Sequence, residues 1–395
     1  MEVDTTAPTA GGERCRRRVR LFVEAHAFDH GFEGSATFIA GLYRALLGIY
    51  PDKYELFVGG YHPEKAIEAL GNPKHAHPIA YRHKNRFLRL TFDVPRAIRL
   101  SQADLAHFQC FTPITKSCDW IVTIHDLLFN DFPQYFPPNY RLMRNILFPL
   151  SARRADILTT VSNYSKDRIS HWYGLDPNRI HIVPNGIEAV ETGAFENAAA
   201  PTVGPPEGKY LLCVSRFEPR KNQLVVLEAF IRGCLWERGI SLVFVGARTL
   251  PSPGLDRAIS SLPSEARTKV YFLENVPASG IHALFANAEA AIYPSLAEGF
   301  GIPPLEALSF QTPSLCGNIT AMSEFKFLAP FFFDPTSSTQ LLDLIIPILE
   351  NPERFKRIAA KASTEMMEQY SWERAAVALH QQISRRSYSR DRSQP

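Results

Sequence analysis

With 395 residues the chain exceeds what one hydrophobic core usually organises, so two domains of similar size are expected. The 43 Lys/Arg against 40 Asp/Glu leave a formal charge of +3, and apolar residues make up 45%, a balance that argues against a nucleic-acid partner and for an ordinary globular protein. Six cysteines stand singly with no C-x-x-C pair, so neither a zinc cage nor a disulfide framework is indicated, and a reduced, cytoplasmic setting is expected.

In chain order, a basic cluster comes first: Arg14, Arg16, Arg17, Arg18 and Arg20. The apolar stretch after it, 19–23, is too short for a signal peptide. The cluster reads as a solvated lead-in to the first strand, with contact to anionic lipid as the alternative. No apolar run reaches the roughly 18 residues needed to cross a bilayer. Strand-like runs follow at 18–23, 54–59, 120–124, 156–161 and 179–183, then at 210–215, 241–246, 270–273, 290–293 and 314–316. Helical periodicity occupies 36–47, 163–172, 222–231, 279–287 and 304–309, and three successive helices are expected at 339–350, 352–370 and 372–384. Strands alternating with helices in this way argue for parallel sheets covered on both faces, an α/β fold.

Between Asn185 and Gly208 the rhythm lapses, and the Ala/Pro/Gly run 198–206 is the best linker in the chain. We place the boundary near residue 200, giving domains at 18–200 and 201–384, the last helices being candidates to cross back onto the first domain. The Arg/Ser-rich end, 385–395, reads as disordered.

Familiar phosphate loops are absent: there is neither G-x-G-x-x-G after a strand nor G-x-x-x-x-G-K-[ST], and G-x-S-x-G and H-E-x-x-H are missing too. The strongest signal is Pro294-Ser295-Leu296-Ala297-Glu298-Gly299-Phe300-Gly301-Ile302-Pro303-Pro304-Leu305-Glu306. It follows an apolar strand, turns on two glycines and enters a helix through two prolines, a position proline favours. Amides in such a turn suit an anion such as a diphosphate. Glu298 in the turn and Glu306, expected in the first turn of the helix, would then accept charge-assisted hydrogen bonds from hydroxyls. The bland alternative leaves Glu298 as a surface turn residue and Glu306 answering the helix dipole. A second signal, Val214-Ser215-Arg216-Phe217-Glu218-Pro219-Arg220-Lys221-Asn222, ends the first strand after the linker. Ligands of open α/β sheets sit at the carboxyl ends of strands, so Arg216 and Lys221 are placed to meet a diphosphate. An exposed basic loop is the competing reading.

On these elements the second half resembles the donor-binding domain of glycosyltransferase family 4, retaining enzymes of the GT-B fold with two Rossmann-like domains facing across a cleft. The first half is similar through Ile124-His125-Asp126, Thr160-Val161-Ser162-Asn163 and Val183-Pro184-Asn185-Gly186. The resemblance spans about 18–384, and the stretch 108–140 looks closest to bacterial mannosyltransferases that extend O-antigen polysaccharides, components of lipopolysaccharide. It implies a nucleotide sugar as donor, GDP-mannose first, a glycan or lipid-linked glycan as acceptor, and peripheral contact with the inner face of the membrane where that acceptor is lipid-linked. It implies that Arg216 and Lys221 neutralise the donor diphosphate, that Glu298 holds the transferred sugar and Glu306 the ribose, and that the turn Gly299, Phe300, Gly301 and Ile302 assists through amides. His125 would face the reacting carbon, with Asp126 on the acceptor side. No metal or other cofactor is implied, and the chain has no D-x-D. One departure is that the family's glycine-paired loop reads here Gly31-Phe32-Glu33-Gly34-Ser35-Ala36-Thr37, leaving Gly34 and Ser35 as phosphate contacts or as plain helix capping. The alternatives are a sugar-nucleotide epimerase of the same fold and a non-catalytic scaffold.

Overall fold

In a computed structural model of the chain, the described residues are 17–29, 34–188 and 208–391, with side chains to 386. The expected linker, residues 31–33 of the glycine loop, and Arg14 and Arg16 lie outside them.

Seven parallel strands form the first sheet: β1 (Val19–Glu24), β2 (Tyr54–Gly60), β3 (Ala76–Ala80), β4 (Leu105–Gln109), β5 (Asp119–Thr123), β6 (Ile157–Thr160) and β7 (Ile180–Ile182), ordered β3-β2-β1-β4-β5-β6-β7. Six parallel strands form the second: β8 (Tyr210–Val214), β9 (Ser241–Val245), β10 (Val270–Leu273), β11 (Ala290–Tyr293), β12 (Ser314–Gly317) and β13 (Phe332–Phe333), ordered β10-β9-β8-β11-β12-β13. In both sheets the order reverses beside the first strand. Leu21 pairs with Leu56 on one side and Leu105 on the other, and Leu212 pairs with Val243 and Ala291. Ligands of such sheets lie at that switch point, outside the carboxyl ends.

Strands such as β8 (Tyr-Leu-Leu-Cys-Val) and β11 (Ala-Ala-Ile-Tyr) are apolar on both faces because helices cover both faces. Three strands depart from that composition and were not expected. β4 reads Leu-Ala-His-Phe-Gln yet is wholly buried, β3 is an edge strand carrying Pro78, and β13 has two residues. The helices Val94–Ser101 and Pro138–Arg154 were not expected either; the second carries an internal Pro149 and exposed apolar residues that blur its period. The aromatic stretch 133–139 forms a short 3-10 turn at Pro133–Tyr135 running into that helix.

The final helix, Trp372–Asp391, returns to the first domain and lies on the helix Gly34–Ile49. Trp372 fills the space beside Gly41, where a Cβ would sit 2.1 Å from Cε2 of the indole. Tyr54 Oη and His380 Nδ1 are 2.5 Å apart, and the Arg386 guanidinium donates to Asp119 at 2.9 Å and Asp156 at 2.8 Å. For 385–391 the expectation of disorder is corrected, since the helix runs on to Asp391 with Arg386 paired to Asp119 and Asp156; residues 392–395 lie outside the described residues. At the other end, Arg17, Arg18 and Arg20 are each paired with carboxylates, Asp104, Asp52 and Glu55 respectively. Among the described residues no helix is long and apolar enough to cross a membrane.

Candidate active site

After β8 the chain passes through Ser215–Glu218 into a 3-10 turn, Pro219–Lys221, and then into the helix Gln223–Arg232. The turn is fixed from below: Gln223 Nε2 donates to the Arg216 carbonyl at 2.8 Å and to Ser215 Oγ at 3.0 Å. The Arg216 side chain is exposed, with no hydrogen bond or ion pair to the described residues. Lys221 and Arg220 instead fold onto Glu298. Lys221 Nζ donates to its Oε1 at 2.5 Å and Arg220 Nη1 to its Oε2 at 3.2 Å. Arg220 also donates to the Ala297 carbonyl at 3.0 Å and lies 3.0 Å from Glu218. Burial opposes charge on Glu298, but Lys221 and Arg220 outweigh it and hold the carboxyl down at about 2. It is a fixed anion, an acceptor only.

The loop after β11 carries Glu298 to Gly301 and opens the helix Ile302–Ser309. Glu298 donates its backbone N–H to Thr320 Oγ1 at 3.0 Å. The N–H groups of Gly299, Phe300 and Gly301 have no acceptor among the described residues, an arrangement that suits an anion. The Phe300 ring is core, edge-on to Phe325 and Tyr370, so only its backbone faces this chemistry; Ile302 likewise packs against the core. The helix begins at Ile302, which puts Glu306 fifth and corrects its expected place in the first turn. Its dipole is therefore not what Glu306 answers, since that effect fades beyond the first turn. Among the described residues the carboxylate has no hydrogen-bond or ion-pair partner, and burial pushes its pKa up to about 7.

Two glycines let loops approach closely. Gly246, at φ +147°, would place a Cβ 2.2 Å from the Ser215 carbonyl oxygen, so the ends of β8 and β9 touch. A Cβ on Gly299 would meet Asp126 Cβ at 2.5 Å, which is where the second domain meets the first. Ser162 Oγ and Ser165 Oγ both donate to the Gly299 carbonyl, at 2.7 and 3.1 Å, and pin the turn there. Glu324 completes the junction by accepting from the N–H groups of Asn163 (3.1 Å) and Tyr164 (2.6 Å) at the start of the helix Asn163–Tyr173.

His125 and Asp126 follow β5. Burial raises the pKa of Asp126, whose Oδ1 accepts the Leu128 N–H at 3.1 Å. His125 Nε2 lies 2.6 Å from Gln109 Oε1, and its ring stands edge-on to Phe38 at 5.1 Å. An amide oxygen only accepts, so Nε2 carries the hydrogen and Nδ1 keeps the lone pair. Burial lowers the pKa of His125 to about 4, leaving it neutral near pH 7. Behind it runs a neutral chain: Gln109 Nε2 to His107 Nε2 at 3.4 Å, His107 Nδ1 to Tyr43 Oη at 2.6 Å, and His107 Nε2 to Thr123 Oγ1 at 2.7 Å.

The two domains thus bring Asp126, Gly299, Arg220, Lys221 and Glu298 together, with Arg216 and Glu306 on the same two loops of the second domain. Gly34 opens the helix Gly34–Ile49 in open space, and no hydrogen bond ties the Ser35 side chain to the described residues. Residues that sequence reasoning missed are Arg220, hidden beside Lys221, and Gln109, whose signal is the polar pair His107/Gln109 two apart in an apolar run. A pocket of about 270 Å³ beside the ends of β8 and β9 was also missed. Its lining includes Phe217, Leu250 and Arg248, whose guanidinium stacks 5.3 Å from the Phe217 ring and pairs with Asp256 at 2.8 Å.

The model of Glycosyltransferase Family 4 matches residues 32–191 and that of Glycosyl transferases group 1 matches 195–365. The chain is a glycosyltransferase. Among its relatives, the O-antigen chain mannosyltransferase RfbU of Salmonella typhimurium is 27% identical over 257 residues, 63% of this chain and 67% of that one. The O-antigen chain mannosyltransferase B of Escherichia coli is 26% identical over 258 residues, 64% of this chain and 67% of that one. The solved structure of Anabaena HepE in complex with UDP-glucose superposes with a TM-score of 0.68 at 16% identity, covering 93% of this transferase and 100% of that chain. The fold of the transferase is GT-B.

Proposed function

We propose that the transferase moves a hexose, with retention of anomeric configuration, from a nucleoside diphosphate sugar to a glycan hydroxyl in bacterial polysaccharide assembly. Mannose from GDP-mannose is the first choice, on the strength of the mannosyltransferase relatives. The observation that carries the reading is the ion-paired Glu298, held by Lys221 and Arg220 at the switch point of the second sheet and faced by Asp126 across the cleft. Arg216, Lys221 and the unpaired amides of the Gly299–Gly301 turn receive the diphosphate. Glu298 accepts from hydroxyls of the sugar, and Glu306, which has no partner among the described residues, accepts from the ribose. The base occupies the pocket beside Phe217 and Arg248.

In the reaction the acceptor oxygen attacks the anomeric carbon on the face the donor leaves. The bond from that carbon to the phosphate oxygen breaks, and the departing phosphate takes the acceptor's proton. Charge grows on the phosphate as the bond breaks, so cations already in place stabilise the transition state more than the ground state. These cations supply that charge without a metal ion. Neutral His125, with Nδ1 free, accepts from a sugar hydroxyl near the reacting carbon, and Asp126 orients the acceptor.

The test is product analysis with GDP-, UDP- and dTDP-sugars and an oligosaccharide acceptor. The expected product is an α-mannoside from GDP-α-mannose. A β-linked product would overturn retention, transfer from another donor would overturn the choice of sugar, and an epimerised nucleotide sugar without transfer would overturn the reaction.

A further inference from the structure

The first domain exposes apolar side chains along one side. Leu142, Ile146 and Leu150 recur every four residues on the helix Pro138–Arg154 and are 65%, 54% and 52% exposed. The helical segment 86–101 adds Phe87 and Phe92, which are 65% and 57% exposed. These segments are neighbours: Arg86 Nη1 lies 3.6 Å from Met143 Sδ, and the guanidinium groups of Arg86 and Arg144 lie over the same Phe111 ring at 4.5 and 5.7 Å.

Charge around this face is one-sided. The helix Pro138–Arg154 holds Arg141, Arg144, Arg153 and Arg154 and no Asp or Glu. Residues 82–101 add Arg82, Lys84, Arg86, Arg96 and Arg99 against a single acid, while Arg89 is buried and paired with Glu24. That acid, Asp93, is buried and taken up by the backbone N–H groups of Arg82 and His83. In a chain whose net charge is only +3, the basic excess is gathered where the apolar residues emerge.

Monomers rarely leave large contiguous apolar patches open. Aliphatic and aromatic side chains set among arginines, with no exposed carboxylate on either segment, match an anionic bilayer surface: the apolar groups enter the acyl boundary and the cations meet the headgroups. We propose that this face, built from 86–101 and 138–154, docks the transferase onto an anionic membrane. Arg17, Arg18 and Arg20, already paired with carboxylates, take no part. The same helix reaches the cleft through Tyr140 and Arg144, whose guanidinium stacks 3.3 Å from the Tyr140 ring and lies close enough to act on Asp126 electrostatically. Docking therefore turns the acceptor side toward the bilayer. The proposal does not depend on which sugar is moved.

Co-sedimentation of the full chain with vesicles tests it. Binding is expected to vesicles of phosphatidylcholine and phosphatidylglycerol, not to phosphatidylcholine alone, and is expected to fall away near 1 M salt, where charges are screened within about 3 Å. L142Q/I146Q/L150Q, all at exposed positions, should abolish binding with the melting temperature unchanged. Should that triple variant unfold, Leu142→Gln alone should still weaken binding. R141Q and R153Q should each weaken it about fivefold, whereas R17Q/R18Q should leave it intact. Equal binding by wild type and the triple variant would overturn the proposal. So would a concentration-dependent dimer, seen by analytical ultracentrifugation and lost in the triple variant, because a second copy would then cover the face. Donor turnover with a soluble acceptor, measured in parallel, separates this outcome from the reaction reading.

Discussion

The two walls of the cleft are built on opposite electrostatic plans. The second-domain wall is a charge network: Glu298 is held down at about 2 by Lys221 and Arg220, and Glu306, without a partner among the described residues, is pushed up to about 7 by burial. The first-domain wall sets one carboxylate, Asp126, beside a chain of neutral histidines. Its His125 and His107 are pushed by burial to about 4 and about 3, and they are linked through Gln109 to Tyr43 and Thr123 rather than to any carboxylate. Under the proposed reaction the fixed charges would meet a leaving group that gains charge, and the neutral histidine chain would orient hydroxyls.

Substitutions can break that contrast, from the largest effect to the smallest. Lys221→Ala should lower kcat at saturating donor by roughly a hundredfold to a thousandfold, the usual cost of one preorganised transition-state contact. A kcat near wild type in initial-rate assays would remove Lys221 from the phosphate site. Gln109→Leu should lower kcat roughly tenfold to a hundredfold, as outer partners that orient a functional histidine do. The accompanying signature is a changed tautomer of His125 in its ¹⁵N shifts, which a merely structural role would leave alone. Gly299→Ala should cost about 1–3 kcal/mol in thermal unfolding, since a methyl there overpacks against Asp126.

Glu306→Gln should raise the donor KM about tenfold with kcat little changed, and pH sharpens this test. Ribose hydroxyls favour the ionised carboxylate, so donor affinity should be full above pH 7 and fall as pH drops through the free-enzyme value of about 7. The glutamine variant should show no such slope. For folding the sign is opposite. A carboxyl whose folded pKa is raised contributes stability below its unfolded pKa and loses it as pH rises through 7. The variant should therefore gain stability relative to wild type at pH 8, and a melting-temperature series across pH checks this.

The charged wall was legible in sequence because each half of it is contiguous: 216–221 and 298–306 each follow a strand that announces itself by composition. The first-domain wall was legible only at His125 and Asp126. Gln109 and His107 sit on β4, whose alternating polar residues look unlike a buried strand until their partners arrive from Tyr43 and Thr123. Arg220 was overshadowed by Lys221, since only the folded turn distinguishes the cation that braces Glu298 from one left exposed, as Arg216 is. Both parallel sheets followed from strand–helix alternation, whereas the helix Pro138–Arg154 did not, because its apolar residues point outward as well as inward.

The returning helix Trp372–Asp391 has a practical consequence for anyone dissecting the enzyme. Cutting near residue 200 would not separate two self-sufficient halves: the first would lose the indole that fills Gly41 and the guanidinium that pairs Asp119 and Asp156, and the second would trail a helix with nothing to lie on. An autonomous first domain calls for circular rearrangement, with the helix Trp372–Asp391 joined ahead of β1.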